Sequence, residues 1–103
     1  MTRRSVLSTP ASHDLDDIVS FVLENSGTER AERVLEGFYT AFAKLAENPG
    51  LGHRREDLTA GQVLFYRVWS WFVIFRFDEK SLDVARVVHA SRDIETLLQD
   101  ESL

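Results

Sequence analysis

No cysteine occurs among the 103 residues. Disulfides, thiolate nucleophiles and thiolate-ligated metal or iron–sulfur sites are therefore excluded. Long apolar runs are also missing, since nothing approaches the roughly 20 residues needed to cross a bilayer. Arg3 and Arg4 are followed only by Val6 and Leu7 before the Ser8-Thr9-Pro10 step, too short an apolar stretch for a secretory leader. Positive charge is in deficit: 12 Lys plus Arg face 17 Asp plus Glu, a net charge of −5. Coating nucleic acid needs surplus cations, so that role is disfavoured. No Gly-x-Ser-x-Gly elbow or Cys–His pair is present to support acyl transfer. His13, His53 and His89 are widely spaced and lack clustered ligands, so neither a metal nor a cofactor is expected. The reading is one cytoplasmic domain spanning 1–103, with no membrane association.

What is present is patterned. Hydrophobic residues make up 44% and charged residues 28%, the mix of an ordinary globular domain. Charge is uneven: residues 1–50 hold 5 basic and 8 acidic side chains, whereas 53–92 hold 7 basic and 5 acidic. Thr9-Pro10 is a helix-start signal, the hydroxyl serving as cap and Pro giving up no bonded N–H. Asp14, Asp16 and Asp17 fall in the early turns, where the helix dipole favours them. Ala11, Leu15, Ile18, Val19 and Val22 trace one helical face, and Asn25-Ser26-Gly27 stops the helix. Thr28 is placed to cap a second helix, striped by Ala31, Val34, Leu35, Phe38, Ala41, Phe42, Leu45 and Ala46. Asn48-Pro49-Gly50 ends it. A connection of about three residues makes an antiparallel helical hairpin over about 10–47.

Beyond Gly61 the pattern changes to β-branched and aromatic runs: Val63 to Trp69, Trp71 to Phe77 and Leu82 to His89. Their short connections predict an antiparallel meander over about 62–90. Nearly continuous apolar character implies that neither face is freely solvated. The hairpin takes one face and the other needs a further cover. The sheet holds both Trp and four of the seven Phe, more apolar surface than two helices shield, which predicts a partner. Asp93, Ile94, Leu97 and Leu98 suggest a short final helix at about 93–100. With a short β segment at Arg3 to Ser8, the class is α+β, in the order β-α-α-β-β-β with a tail helix.

In that order the sequence resembles the ParE branch of the ParE/RelE toxin superfamily. The resemblance rests on Leu7-Ser8-Thr9-Pro10-Ala11 leading into Asp14-Leu15-Asp16-Asp17-Ile18, on Ala43 to Pro49, and on Gly50-Leu51-Gly52-His53-Arg54-Arg55-Glu56-Asp57-Leu58. It continues through the aromatic strand Trp71 to Phe77 and Val87-Val88-His89-Ala90-Ser91-Arg92-Asp93. It implies the RelE/ParE-like fold and the toxin role in a type II toxin–antitoxin pair. The toxin would inhibit DNA gyrase by protein contact, without catalytic residues. A ParD-like antitoxin would silence it in a hetero-oligomer, with no sequence-specific nucleic acid bound. The alternatives are a ribosome-dependent messenger RNA interferase or a non-toxic antitoxin-binding module.

Metal-free RNA cleavage needs a base, an acid and cations for phosphorane charge. The nuclease branch places an Arg early in the central strand, where this chain aligns Phe72. Its tail Tyr would fall near Leu98, and no Tyr follows Tyr66. His89, Arg92 and Arg67 would be the groups of a nuclease. Under the gyrase reading the target-facing set is His89, Arg92, Asp93, Leu97 and Leu98. The antitoxin-facing set is Arg67, Arg76, Arg86, Trp69, Trp71 and Phe38. Each has a plainer reading. His89 could be a strand-end imidazole bonded to a neighbour such as Asp93, which could instead cap the final helix. Arg92 could hold the tail through an Arg–Asp pair, the strand arginines could snorkel at edges, and the aromatics could be core. His53, Arg54 and Arg55 with Glu56 and Asp57 read as a solvated loop of mixed charge.

Overall fold

The computed structural model describes residues 2–103. A first strand, β1 (Arg4–Leu7), leads into two long helices, α1 (Thr9–Ser26) and α2 (Thr28–Glu47). A 3-10 turn at Pro49–Leu51 and a loop precede three strands, β2 (Leu64–Val68), β3 (Trp71–Phe77) and β4 (Ser81–His89). The last helix is α3 (Ile94–Asp100). The strands form one sheet in the order β1-β4-β3-β2. The β2-β3-β4 meander is antiparallel as its short connections predict, and β1 adds parallel to β4, making the sheet mixed.

The caps differ from the expected ones by one residue each. Ser8, not Thr9, caps α1, its hydroxyl accepting the Ala11 N–H at 3.0 Å. Extended backbone at Ser8 suits a cap, while Thr9 and Pro10 already lie in the first turn. Thr28 is likewise the first residue of α2, and the joint between the helices is Gly27 alone. Gly27 has φ 87° and ψ 174°, a combination open to glycine and costly for any side chain. Its N–H still closes α1 by bonding the Leu23 carbonyl.

The hairpin packs on one face of the sheet. Ala11, Leu15 and Val22 of α1 and Ala31, Val34, Phe38, Phe42 and Leu45 of α2 are buried against Val73, Phe75, Leu82, Val84 and Val87. Each fully buried large side chain there contributes about 1.5–3 kcal/mol of transfer free energy. The opposite face is closed by α3, which packs Ile94 and Leu98 on Val63, Phe65, Ile74 and Val88. Leu98 is 0% exposed, so the expected further cover of the sheet is the chain's own last helix. Asp93 caps that helix, accepting the Thr96 N–H at 3.2 Å and its hydroxyl at 2.8 Å. Thr59 ties down the segment after it, its hydroxyl donating to the Leu103 carbonyl at 2.6 Å.

β1 is shorter than β4 and stops at Leu7, leaving backbone groups of β4 without a strand partner. The start of α1 supplies them: the Ser8 hydroxyl donates to the Ala85 carbonyl at 2.7 Å, and Asp14 Oδ2 accepts the Val87 N–H at 2.9 Å. A bulge lies at the same place, where Ile74 opposes Arg86 but Phe75 opposes Val84.

Candidate partner-binding surface

The strand register gathers several of the singled-out side chains at one end of the sheet. Trp71 opens β3 opposite Val68 of β2 and opposite His89, the last residue of β4. Trp69 and Ser70 form the β2–β3 turn, whose Ser70 carbonyl accepts the Ala90 N–H at 2.8 Å. Arg67, Trp69, Trp71, His89 and Arg92 therefore share this end. Arg76 lies toward the other end, opposite Asp83.

His89 is exposed and meets Trp71 edge to face, with ring centroids 5.7 Å apart at 85°. Its Nδ1 accepts the Ser91 N–H at 3.1 Å and lies 2.7 Å from the Ser91 hydroxyl. That hydrogen bond assigns the ring proton of the neutral imidazole to Nε2. Asp93, the candidate carboxylate for it, is instead engaged as the α3 cap. Hydrogen bonds from the Thr96 side chain and then its backbone hold Asp93 below the usual carboxylate range. Arg92 is exposed and its guanidinium has no partner among the described residues.

Arg67 is exposed, its Nε donating to the Trp69 carbonyl at 2.7 Å. Its guanidinium stands 5.5 Å from the Phe72 ring centre, and that of Arg55 lies 5.8 Å from the same ring. Phe72, half-buried on the α3 side of the sheet, is thus flanked by two cations. The Arg55 contact was not legible, because it joins a loop residue to a strand far along the chain. Arg55 also bonds Asp57 through Nε at 2.9 Å and Nη2 at 2.8 Å, which lowers the Asp57 carboxyl from its ordinary value.

Three of the expected contact residues lie inside the protein. Arg86 is 8% exposed and holds Asp14 in a bidentate pair at 2.6 and 2.7 Å, while its Nη1 bonds Glu101 just beyond α3. The hydrogen bonds it donates to Asp14 hold its guanidinium above the ordinary arginine value. The cation thereby joins α1, β4 and the segment after α3, and its donors are spent internally rather than on a partner. Phe38 and Leu98 are both 0% exposed, one under the hairpin and one under α3. Phe38 meets Trp69 and Trp71 edge to face, with centroids 6.3 and 5.8 Å away.

Trp71 and Leu97 are half-buried, whereas Trp69 is 54% exposed. Trp69 also has φ 51°, a positive value rare for a bulky residue. Large exposed apolar side chains lie on the hairpin and the rims, at Phe21, Leu23, Tyr39, Trp69 and Phe77, and on β1 at Val6, where a cavity of about 640 Å³ lined by Val6, Ala85 and Leu103 opens over the sheet. Among the described residues, no helix is long and apolar enough to cross a membrane.

The arrangement is that of a small α+β domain with its cations, imidazole and indoles open at one end of a mixed sheet. A family model described as the ParE toxin of the type II toxin–antitoxin system parDE matches residues 6–94, and the chain belongs to this family. It is 32% identical over 85 residues to Toxin ParE3 of Caulobacter vibrioides, covering 82% of this chain and 84% of that one. Toxin ParE1 of Mycobacterium tuberculosis is 28% identical over 103 residues, covering 92% and 97%. The fold matches a chain of the chromosomal ParDE toxin–antitoxin system of P. aeruginosa, with a TM-score of 0.71 at 20% identity. That match covers 85% of this chain and 96% of the other.

Proposed function

We propose that this ParE-family toxin inhibits DNA gyrase by protein–protein contact and is silenced by a ParD-like antitoxin. The observation that supports contact over catalysis is the state of His89 and Asp93. The imidazole is bonded to Ser91 and the carboxylate to Thr96, so the two form no proton-transfer couple. An RNA-cleaving site needs a base and an acid on opposite sides of the scissile phosphate. Exposed His89 and unpaired Arg92, with Asp93 and Leu97 beside them, are the proposed target-facing groups.

The antitoxin reading draws on a second surface. Between α1 and α2 runs a groove of about 310 Å³ lined by Leu15, Val19, Leu35 and Tyr39 together with Ser12, Asp16 and Ser20, a mixed surface suited to an amphipathic helix. Arg67 and Arg76 stand exposed on the α3 side of the sheet, across from that groove, to meet acidic side chains further along the antitoxin, and Trp69 offers indole surface at the sheet's end. Arg86, Phe38 and Leu98 are left out of both sets because they are buried.

Expressing the chain alone should stop growth, and purified chain should inhibit supercoiling by gyrase. Growth arrest with gyrase untouched would reject the target. Codon-phased cuts in cellular transcripts would replace it with messenger RNA cleavage, and harmless expression would point to a binding module.

A further inference from the structure

A second groove lies where the hairpin's closed end meets the β2–β3 turn, and it differs from the α1–α2 groove in charge. Its volume is about 470 Å³. Val22 and Val34, each 8% exposed, form the apolar bottom with half-buried Trp71, and Trp69 stands at the side. Arg30 and Arg33 line the rim. Arg33 holds Glu29 at 2.9 Å in a solvent-exposed pair, whereas Arg30 has no carboxylate partner among the described residues. A chain of net charge −5 thus has a cationic rim around an aromatic slot.

The slot is also held open. Trp69 keeps a positive φ of 51° while more than half its side chain stays in water. Such a backbone costs on the order of 1–3 kcal/mol and persists only where its surroundings fix it. Here the indole is seated on Gly37 and on the Phe38 ring, and the Trp69 carbonyl accepts from Arg67. An aromatic wall fixed in this way loses little conformational freedom when it is covered.

We propose that this groove seats an acidic segment of a partner protein. One bulky apolar side chain of the segment enters between Trp69 and Val34, and flanking carboxylates meet Arg30 and Arg33. The proposal rests on the partner-binding reading above and adds the chemistry of the bound segment. Charge complementarity selects this occupant: carboxylates gain attraction from Arg30, which holds no carboxylate of its own among the described residues, and a basic segment would be repelled.

A displayed library of random 12-residue peptides, panned on the purified chain, tests this. Enriched peptides should carry net negative charge and at least one large apolar residue. Both tryptophans line the groove, so a synthetic copy of an enriched peptide should shift the intrinsic emission. Binding should weaken as salt rises. Arg30→Glu with Arg33→Glu should reduce affinity by about tenfold or more, and Trp69→Ala should do so independently, with folding checked by circular dichroism. Arg30→Lys with Arg33→Lys should retain most of the binding.

Peptides enriched without regard to charge, equal binding by the Glu variants, unchanged emission or no enrichment would each overturn the proposal. So would concentration-dependent self-association through this groove that Trp69→Ala abolishes. The supercoiling assay on the parent chain reads the gyrase proposal separately. Its failure beside positive peptide binding would reject the target and leave the groove assignment standing.

Discussion

The indole of Trp69 fills the space that a side chain at Gly37 would need: an added Cβ would lie 2.3 Å from Trp69 Cη2. A second pair, Gly52 and Phe75, has the same geometry, with the Cβ 2.4 Å from Phe75 Cζ. The two differ in what can give way. Trp69 borders solvent, into which a Cβ at position 37 would force its otherwise seated indole, whereas Phe75 is 0% exposed in the core. Gly52→Ala should therefore cost about 1–3 kcal/mol by overpacking. Gly37→Ala should be nearly neutral, a helix-propensity gain of about 1 kcal/mol offsetting the lost ring packing. It should also redden the tryptophan emission as the indole leaves its seat. Urea unfolding and emission spectra check both. A Gly52→Ala chain as stable as the parent would show that Phe75 has room to move.

Arg86 is the single cation between two carboxylates from distant segments. Arg86→Met should destabilise the fold by about 3–5 kcal/mol, because Asp14 and Glu101 are left facing each other without it. Adding Asp14→Asn should recover part of the loss, since Asn removes one charge and its carbonyl oxygen can still accept the Val87 N–H. Thermal melts of the parent, single and double variants decide the matter. Equal melting of the parent and Arg86→Met would reject the clamp.

Acid should weaken the protein through exposed carboxylates held below their ordinary value, Asp57 beside Arg55 and two others bonded to nearby N–H or hydroxyl groups. Asp78 is held below its ordinary 3.8 by the Lys80 and Ser81 backbone N–H groups, and Asp93 by the Thr96 hydroxyl and N–H. A depressed carboxyl contributes stability that is whole above its unfolded pKa and is lost as pH falls through the lower folded value. The loss therefore falls below about pH 4. Asp78→Asn with Asp93→Asn should flatten the acid limb of a stability–pH curve relative to the parent. An unchanged limb would place the acid sensitivity elsewhere.

Arg92 and His89 separate folding from target contact. Both are exposed, so Arg92→Ala and His89→Ala should shift stability by no more than about 0.5 kcal/mol. Under the gyrase reading, Arg92→Ala should weaken supercoiling inhibition by roughly tenfold or more, the range of an interfacial arginine. Full inhibition by Arg92→Ala would move the target surface away from this end of the sheet.

Much of the architecture follows from periodicity. The α2 stripe and the three β runs are strong local signals, and all became the expected elements. The caps at Ser8 and Gly27 were displaced by one residue, because adjacent hydroxyls or a glycine compete for the same role and only backbone angles decide. The fate of Arg86 was not legible. An arginine in an apolar strand resembles a snorkelling edge residue until its distant partners are known. Asp14 was equally ambiguous, since a carboxylate in a first turn suits the helix dipole whether or not a strand uses it. The tail helix shows the reverse: its three apolar residues are a thin pattern, yet Ile94 and Leu98 cover Val63, Phe65, Ile74 and Val88 of the sheet.

The parallel seating of β1 has a consequence for assembly order. Arg4 pairs with Ser81 and Leu7 with Val84, whereas the hairpin and meander join near neighbours in the chain. Closing so large a loop is entropically costly, so β1 is expected to dock after the hairpin and meander have formed. Until it docks, the outer margin of β4 would present unpaired backbone groups, the kind of edge to which another strand can add.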